Sequence, residues 1–129
     1  MASIFTKILN KEIPCYKIAE SKNCFAFLDI NPNTKGHVLC IPKKEVDYIF
    51  DMEPEIYNEL LNFSKTIAIA IKKSISCNRV AMTVIGLEVP HAHVHLIPIN
   101  EMRDIGFKHK KKCTDKEFKE IAKKINSFL

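Results

Sequence analysis

A chain of 129 residues with 47% apolar content is long enough to form one compact domain and needs no disulfides to hold a core. Its net charge of +5 is modest and sits largely in residues 108–112 and the C-terminal helix, where it reads as a solvated face, so nucleic acid is not an expected partner. The opening MASIFTKILNKEIP is broken by Lys7 and Lys11, no later run reaches membrane-span length, and the five cysteines (Cys15, Cys24, Cys40, Cys77, Cys113) are scattered without a CxxC pair. Secretion and membrane insertion are therefore not expected, and a cytoplasmic location is, with the cysteines as small core residues.

In chain order, Ser3 can cap a short helix whose Ile4, Phe5, Ile8 and Leu9 share one stripe, with Pro14 as its stop. Strand-like runs follow at residues 15–19, 24–30 and 37–41, separated by the polar turns ESKN and NPNTKG, and such short connections predict an antiparallel meander. Over residues 54–75, Ile56, Leu60, Phe63, Ile67 and Ile71 recur at helical spacing behind Pro54, which suits a first turn, so one long helix is predicted. Residues 80–85 and 91–99 read as two more strands joined by a tight GLEVP connection. Thr114 and Glu117 then make a capping box ahead of Phe118, Ile121, Ala122, Ile125 and Phe128, the pattern of an amphipathic C-terminal helix. The expected class is α+β: an antiparallel five-stranded sheet with one long helix and short N- and C-terminal helices, in one domain over residues 1–129.

Three of the five histidines fall in PHAHVHLIP, residues 90–98, at alternate positions. On a strand His91, His93 and His95 form a row on one face while Ala92, Val94 and Leu96 face the other way. A shared zinc ion fits such a row poorly, because its ends lie about 13 Å apart and a Zn–N bond is about 2.0 Å. Phosphorus chemistry fits better, because an imidazole of pKa near 6.5 is mostly neutral at pH 7 and able to attack, while its neighbours supply protons and hydrogen bonds. Packed core histidines satisfied by backbone carbonyls are the structural alternative.

HAHVHLI resembles the His-φ-His-φ-His-φ-φ signature of the histidine-triad family of nucleotidyl hydrolases and transferases. IFTKILNKEIP, AFLDINP, GHVLCIPKK and VPHAHVHLIP resemble its Hint-like branch in the same order, over residues 3–99, which leaves residues 100–129 as a C-terminal extension. The resemblance implies that His93 attacks the α-phosphorus of a nucleoside monophosphate ester or amide to give a nucleotidyl-histidine, which water then opens. It implies that His95 hydrogen-bonds the phosphate or leaving group, that the His91 carbonyl helps fix the tautomer of the nucleophile, and that His37 lies near the same phosphate. Asp29 would hold the ribose hydroxyls. Ile4, Phe5, Ile8, Phe27, Ile30 and Leu39 would wall a purine, and Asn31, Thr83, Gly86, Glu88 and Val89 would complete the nucleotide site. Cofactors and metals are expected to be none, and the resemblance implies a homodimer to which the long helix contributes.

Two departures from the family pattern matter. Many Hint-like bacterial proteins hold a structural zinc with a CxxC and a histidine after PKK or PKE, where this chain has Ser3, Thr6 and Glu45. The usual GQ(S/T) triplet before the triad is here Gly86, Leu87 and Glu88, so polar phosphate contacts are missing and a carboxylate stands near an anionic substrate. The favoured reading is a purine nucleoside phosphoramidase. The missing glutamine makes a dinucleoside polyphosphate hydrolase the runner-up, and a nucleotide-binding or partner-binding module with weak turnover stands as the alternative from another class.

Overall fold

The computed structural model describes residues 2–129. Helix α1 (Ile4–Leu9) starts where the Ser3 hydroxyl accepts the Thr6 N–H at 3.1 Å, as its capping residue should. It stops sooner than Pro14: Asn10 closes the last turn and Lys11, at φ 63°, turns the chain into the left-handed region. Five strands follow, β1 (Lys17–Glu20), β2 (Cys24–Leu28), β3 (Val38–Pro42), β4 (Arg79–Thr83) and β5 (Val94–Ile99), with α2 (Pro54–Ser74) between β3 and β4 and α3 (Asp115–Asn126) at the end. They form one sheet in the order β1-β2-β3-β5-β4, antiparallel throughout, so the expected α+β class is the observed one. Two short 3-10 turns, Ile49–Asp51 and Met102–Ile105, carry no periodic signal in the sequence.

Both faces of the central strands are covered, which is why every residue of β2 and β3 is buried. Alternation sends Cys24, Ala26, Leu28, Val38 and Cys40 to one face, where they pack with Leu60, Ile67 and Ile71 of α2 and Phe118 and Ile125 of α3. It sends Phe25, Phe27, Leu39 and Ile41 to the other, under Phe5 of α1. The C-terminal helix carries the expected capping box between Thr114 and Glu117, and the Phe118 ring stacks on Tyr16 at 4.8 Å. Cys24 and Cys40 are buried as expected of core residues, whereas Cys15, Cys77 and Cys113 are only partly so, and all five thiols are free.

Two expectations about the histidine segment are corrected. His91, Ala92 and His93 precede β5 rather than forming part of it, and the link from β4 runs through residues 84–93, so it is a loop and not a tight turn. The alternation survives in the extended backbone: Ala92, Val94 and Leu96 enter the helix-covered core. The histidines take the opposite face. β2 likewise stops at Leu28 rather than residue 30, because Asp29 Oδ1 accepts the Asn31 N–H at 2.8 Å and turns the chain. Gly36, at φ 98°, then brings the chain back so that His37 enters β3's edge; a Cβ there would meet Ile75 and Pro98 at 3.1 and 3.2 Å.

Candidate active site

The four histidines of interest are joined by hydrogen bonds that assign each proton. His91 is fully buried, and its Nε2–H donates to the Pro42 carbonyl at 2.8 Å, so Nδ1 is left as an acceptor for the Ser3 hydroxyl at 2.9 Å. The His91 carbonyl in turn accepts from Nδ1–H of His93 at 2.8 Å. With its proton held on Nδ1, His93 keeps a free lone pair on Nε2. An imidazole nitrogen with a free lone pair is chemically able to attack an electrophile, and this ring lines an open cleft.

His95 is set to the opposite tautomer by a second chain. The backbone N–H of Asn33 donates to Nδ1 of His37 at 3.0 Å, which puts the His37 proton on Nε2, and that nitrogen lies 2.9 Å from Nδ1 of His95. His95 therefore accepts at Nδ1 and carries N–H at Nε2, a donor on the ring next to His93. Burial is the main cause pushing His37 down to about 3, with the charges of His95 and Lys110 adding to it. Burial likewise leads in holding His95 near 4, so at neutral pH the ring acts as a neutral hydrogen-bond donor and not as a cation. Burial raises Asp29, partly offset by its bond to the Asn31 N–H, and its second oxygen lies 3.6 Å from Nε2 of His37.

The cleft has a volume of about 650 Å³. Of the residues singled out in the sequence, His93, His95, Ile4, Phe5, Ile8, Phe27, Asp29, Ile30, Asn31, Leu39, Gly86, Glu88 and Val89 line it. His91 and His37 stand behind the wall, fully buried, and Thr83 sits beside His95 in the sheet but outside the cleft. Unanticipated lining comes from Ile13, Pro14, Cys15, Leu28, Ile85 and Leu87, and from Phe107 and Lys110 of the basic run. Lys108, Lys111 and Lys112 are exposed, as a solvated run should be, but Lys110 is half-buried and turned to the cleft. The one available sequence signal was an aromatic residue interleaved with lysines, FKHKKK.

Ser3, Thr6 and Glu45 come together, but as hydrogen-bonding partners. Glu45 accepts from the Ser3 N–H at 2.6 Å and the Thr6 hydroxyl at 2.8 Å, and these bonds hold its carboxyl down at about 2. Two hydroxyls, a carboxylate whose Oε1 already accepts two hydrogen bonds and an imidazole whose nitrogens are both engaged do not fit the thiolate-rich set a structural zinc requires. Elsewhere Asp29, His37 and His95 gather ligand-type atoms within 4.8 Å of one another, but the facing nitrogens of the two rings already share a hydrogen bond.

A family model, the HIT domain, matches residues 10–102, and the chain belongs to the histidine-triad family. It is 36% identical to an uncharacterized HIT-like protein of Borreliella burgdorferi over 95% of each chain, so that likeness extends past the triad into the C-terminal segment. It is 38% identical to the adenosine 5'-monophosphoramidase HNT1 of Saccharomyces cerevisiae, covering 75% of this chain and 62% of that one. The crystal structure of a Hit-like protein from Bartonella henselae has the same fold, with a TM-score of 0.87 and 30% identity over 98% of this chain and 96% of that chain.

Proposed function

We propose that the chain hydrolyses purine nucleoside phosphoramidates or related nucleotides at the α-phosphorus through a nucleotidyl-histidine intermediate. The observation that carries this reading is the pair of opposite tautomers side by side, a free Nε2 lone pair on His93 and an Nε2–H on His95. Nε2 of His93 forms the bond to phosphorus, the bond to the leaving atom breaks, and the His91 carbonyl stabilises the positive charge that develops on the attacking ring. His95 donates to the phosphoryl or leaving atom, and water releases the nucleotide in a second displacement. Positioned donors and a fixed nucleophile are the main requirements of such a transfer. The monophosphoramidase relative in yeast supports this substrate class.

Asp29 serves as ribose acceptor in this reading, and the apolar wall of Phe5, Phe27, Leu39 and Val89 takes the base. No cofactor is assigned. A cytoplasmic homodimer belongs to the same proposal: no helix among the described residues is long and apolar enough to cross a membrane, and α2 leaves Ile69 exposed. The test is turnover of adenosine 5'-phosphoramidate by wild type and by His93→Ala. Hydrolysis by the first and none by the second is expected; equal rates would overturn the assignment of the nucleophile. Tight nucleotide binding without turnover in wild type would favour the binding-module alternative, which the exposed Glu88 in the cleft wall, without an ion pair among the described residues, keeps in play.

A further inference from the structure

We propose that Lys110 selects substrates whose leaving group carries negative charge; the inference rests on the function proposed above. The cleft wall is a file of rings. Phe27 lies 5.5 Å from Phe5, Phe5 is 4.9 Å from His93, His93 is 4.8 Å from His95 and His95 is 5.0 Å from Phe107, all centre to centre. The ammonium of Lys110 sits 4.5 Å over Phe107 and ends the file. One end is hydrocarbon, the middle is the nucleophile and its donor, and the far end is a cation. A nucleotide with its base on Phe5 and Phe27 and its phosphorus at His93 directs whatever is attached beyond the phosphorus toward Phe107 and Lys110.

The lysine is held in place without a direct ion pair among the described residues. Its Nζ donates to Asn33 Oδ1 at 2.7 Å, and Asn33 is itself buried, with its amide nitrogen donating to the Asp104 carbonyl at 3.2 Å. Both of the lysine's partners, an amide oxygen and a ring face, are uncharged, and no carboxylate lies within ion-pair distance among the described residues. Asp29 and Glu88 line the same cleft; Asp29 is near enough to feel the charge of Lys110, which works against the rise that burial causes, but it forms no ion pair with the lysine and its Oδ1 accepts the Asn31 N–H, while Glu88 is carried on the loop before the triad. The charge of Lys110 adds to burial in holding both His37 and His95 neutral, so the positive charge at this end of the cleft is carried by the lysine and not by the rings. An uncharged amine gains nothing from this end of the cleft, whereas a carboxylate or phosphate on the leaving group gains a charge-assisted hydrogen bond.

The test compares two adenosine 5'-phosphoramidates, of propylamine and of β-alanine, which differ by one carboxylate on the leaving amine. Wild type should favour the β-alanine compound in kcat/KM. Lys110→Gln should lose on the order of tenfold more on that compound than on the propylamine one, as expected when a hydrogen bond to a charged group is removed. Lys110→Arg should restore most of the preference. A parallel loss on both substrates would make Lys110 a contributor to general site integrity, and no loss on either would leave it without a role; each result overturns the proposal while the nucleotidyl-transfer reading stands. Failure of wild type to turn over either compound would instead remove that reading, and this inference with it.

Discussion

The three histidines of PHAHVHLIP are alike in spacing and unlike in chemistry, and the difference lies in what each ring's second nitrogen touches. His93 has its Nδ1 proton taken by a carbonyl, His95 has its Nδ1 taken as an acceptor, and His91 spends both nitrogens on structure. His95→Ala should therefore leave a slow enzyme, down on the order of 10² to 10⁴ in kcat, because a donor to the developing charge is lost while the nucleophile remains. His91→Ala should show the smaller rate loss and the larger drop in thermal midpoint; the reverse order in the two assays would contradict this division. The folded-state pKa values of about 3 and 4 for His37 and His95, against 6.5 for a free imidazole, have a consequence for stability. Below pH 6.5 the unfolded chain binds more protons at these rings than the folded one, so stability present above that pH is lost as pH falls toward 4 and then 3. Asp29, raised by burial, acts in the opposite sense in the acid range. Urea midpoints should fall from pH 7 to pH 5, less so in His37→Asn, and a midpoint independent of pH across that interval would contradict the assignment.

Among the elements, the short helix α1 is tied by hydrogen bonds to the proposed nucleophile. α1 has only six residues and little intrinsic stability, so its docking depends on Phe5 in the sheet face and on Glu45, which accepts from both Ser3 and Thr6. Through the Ser3 hydroxyl that clamp reaches His91, and through the His91 carbonyl it reaches His93. A chelator should therefore leave both the melting temperature and the turnover rate unchanged. A lower melting temperature after chelation, restored by zinc, would show that a metal holds α1 in place. Elements with strong periodicity or a complete cap, α2 and α3 above all, were legible in the sequence because local pattern and tertiary burial agree there. Ends were less legible. Pro14 is a strong stop signal, yet the turn at Asn10 and Lys11 acts first, and the Asx-type turn of Asp29 cuts β2 short.

At the scale of the whole molecule, sheet order places β5 between β3 and β4, so that His95 lies between Leu39 and Thr83 and over the same face as Phe5 and Phe27. Period-two alternation made the histidine row readable, whereas the cleft wall, much of it on α1 and on loops at Ile30, Asn31, Gly86, Glu88 and Val89, was legible only through the family resemblance. Lys110 and Phe107 were not readable, because their place depends on the return of the chain after β5, where the buried Asn33 side chain meets both the Asp104 carbonyl and the lysine. A run of lysines has no period from which one inward-facing member can be picked. The central claim, that one ring of the triad becomes covalently nucleotidylated, is tested most directly by acid-sparing quench of the wild-type protein with adenosine 5'-phosphoramidate, followed by peptide mapping in a mass spectrometer. An adenylyl group is expected on His93, formed and lost at rates compatible with turnover and missing in His93→Ala; an adduct on His91 or His95, or steady turnover with no adduct on any histidine, would contradict covalent transfer through His93.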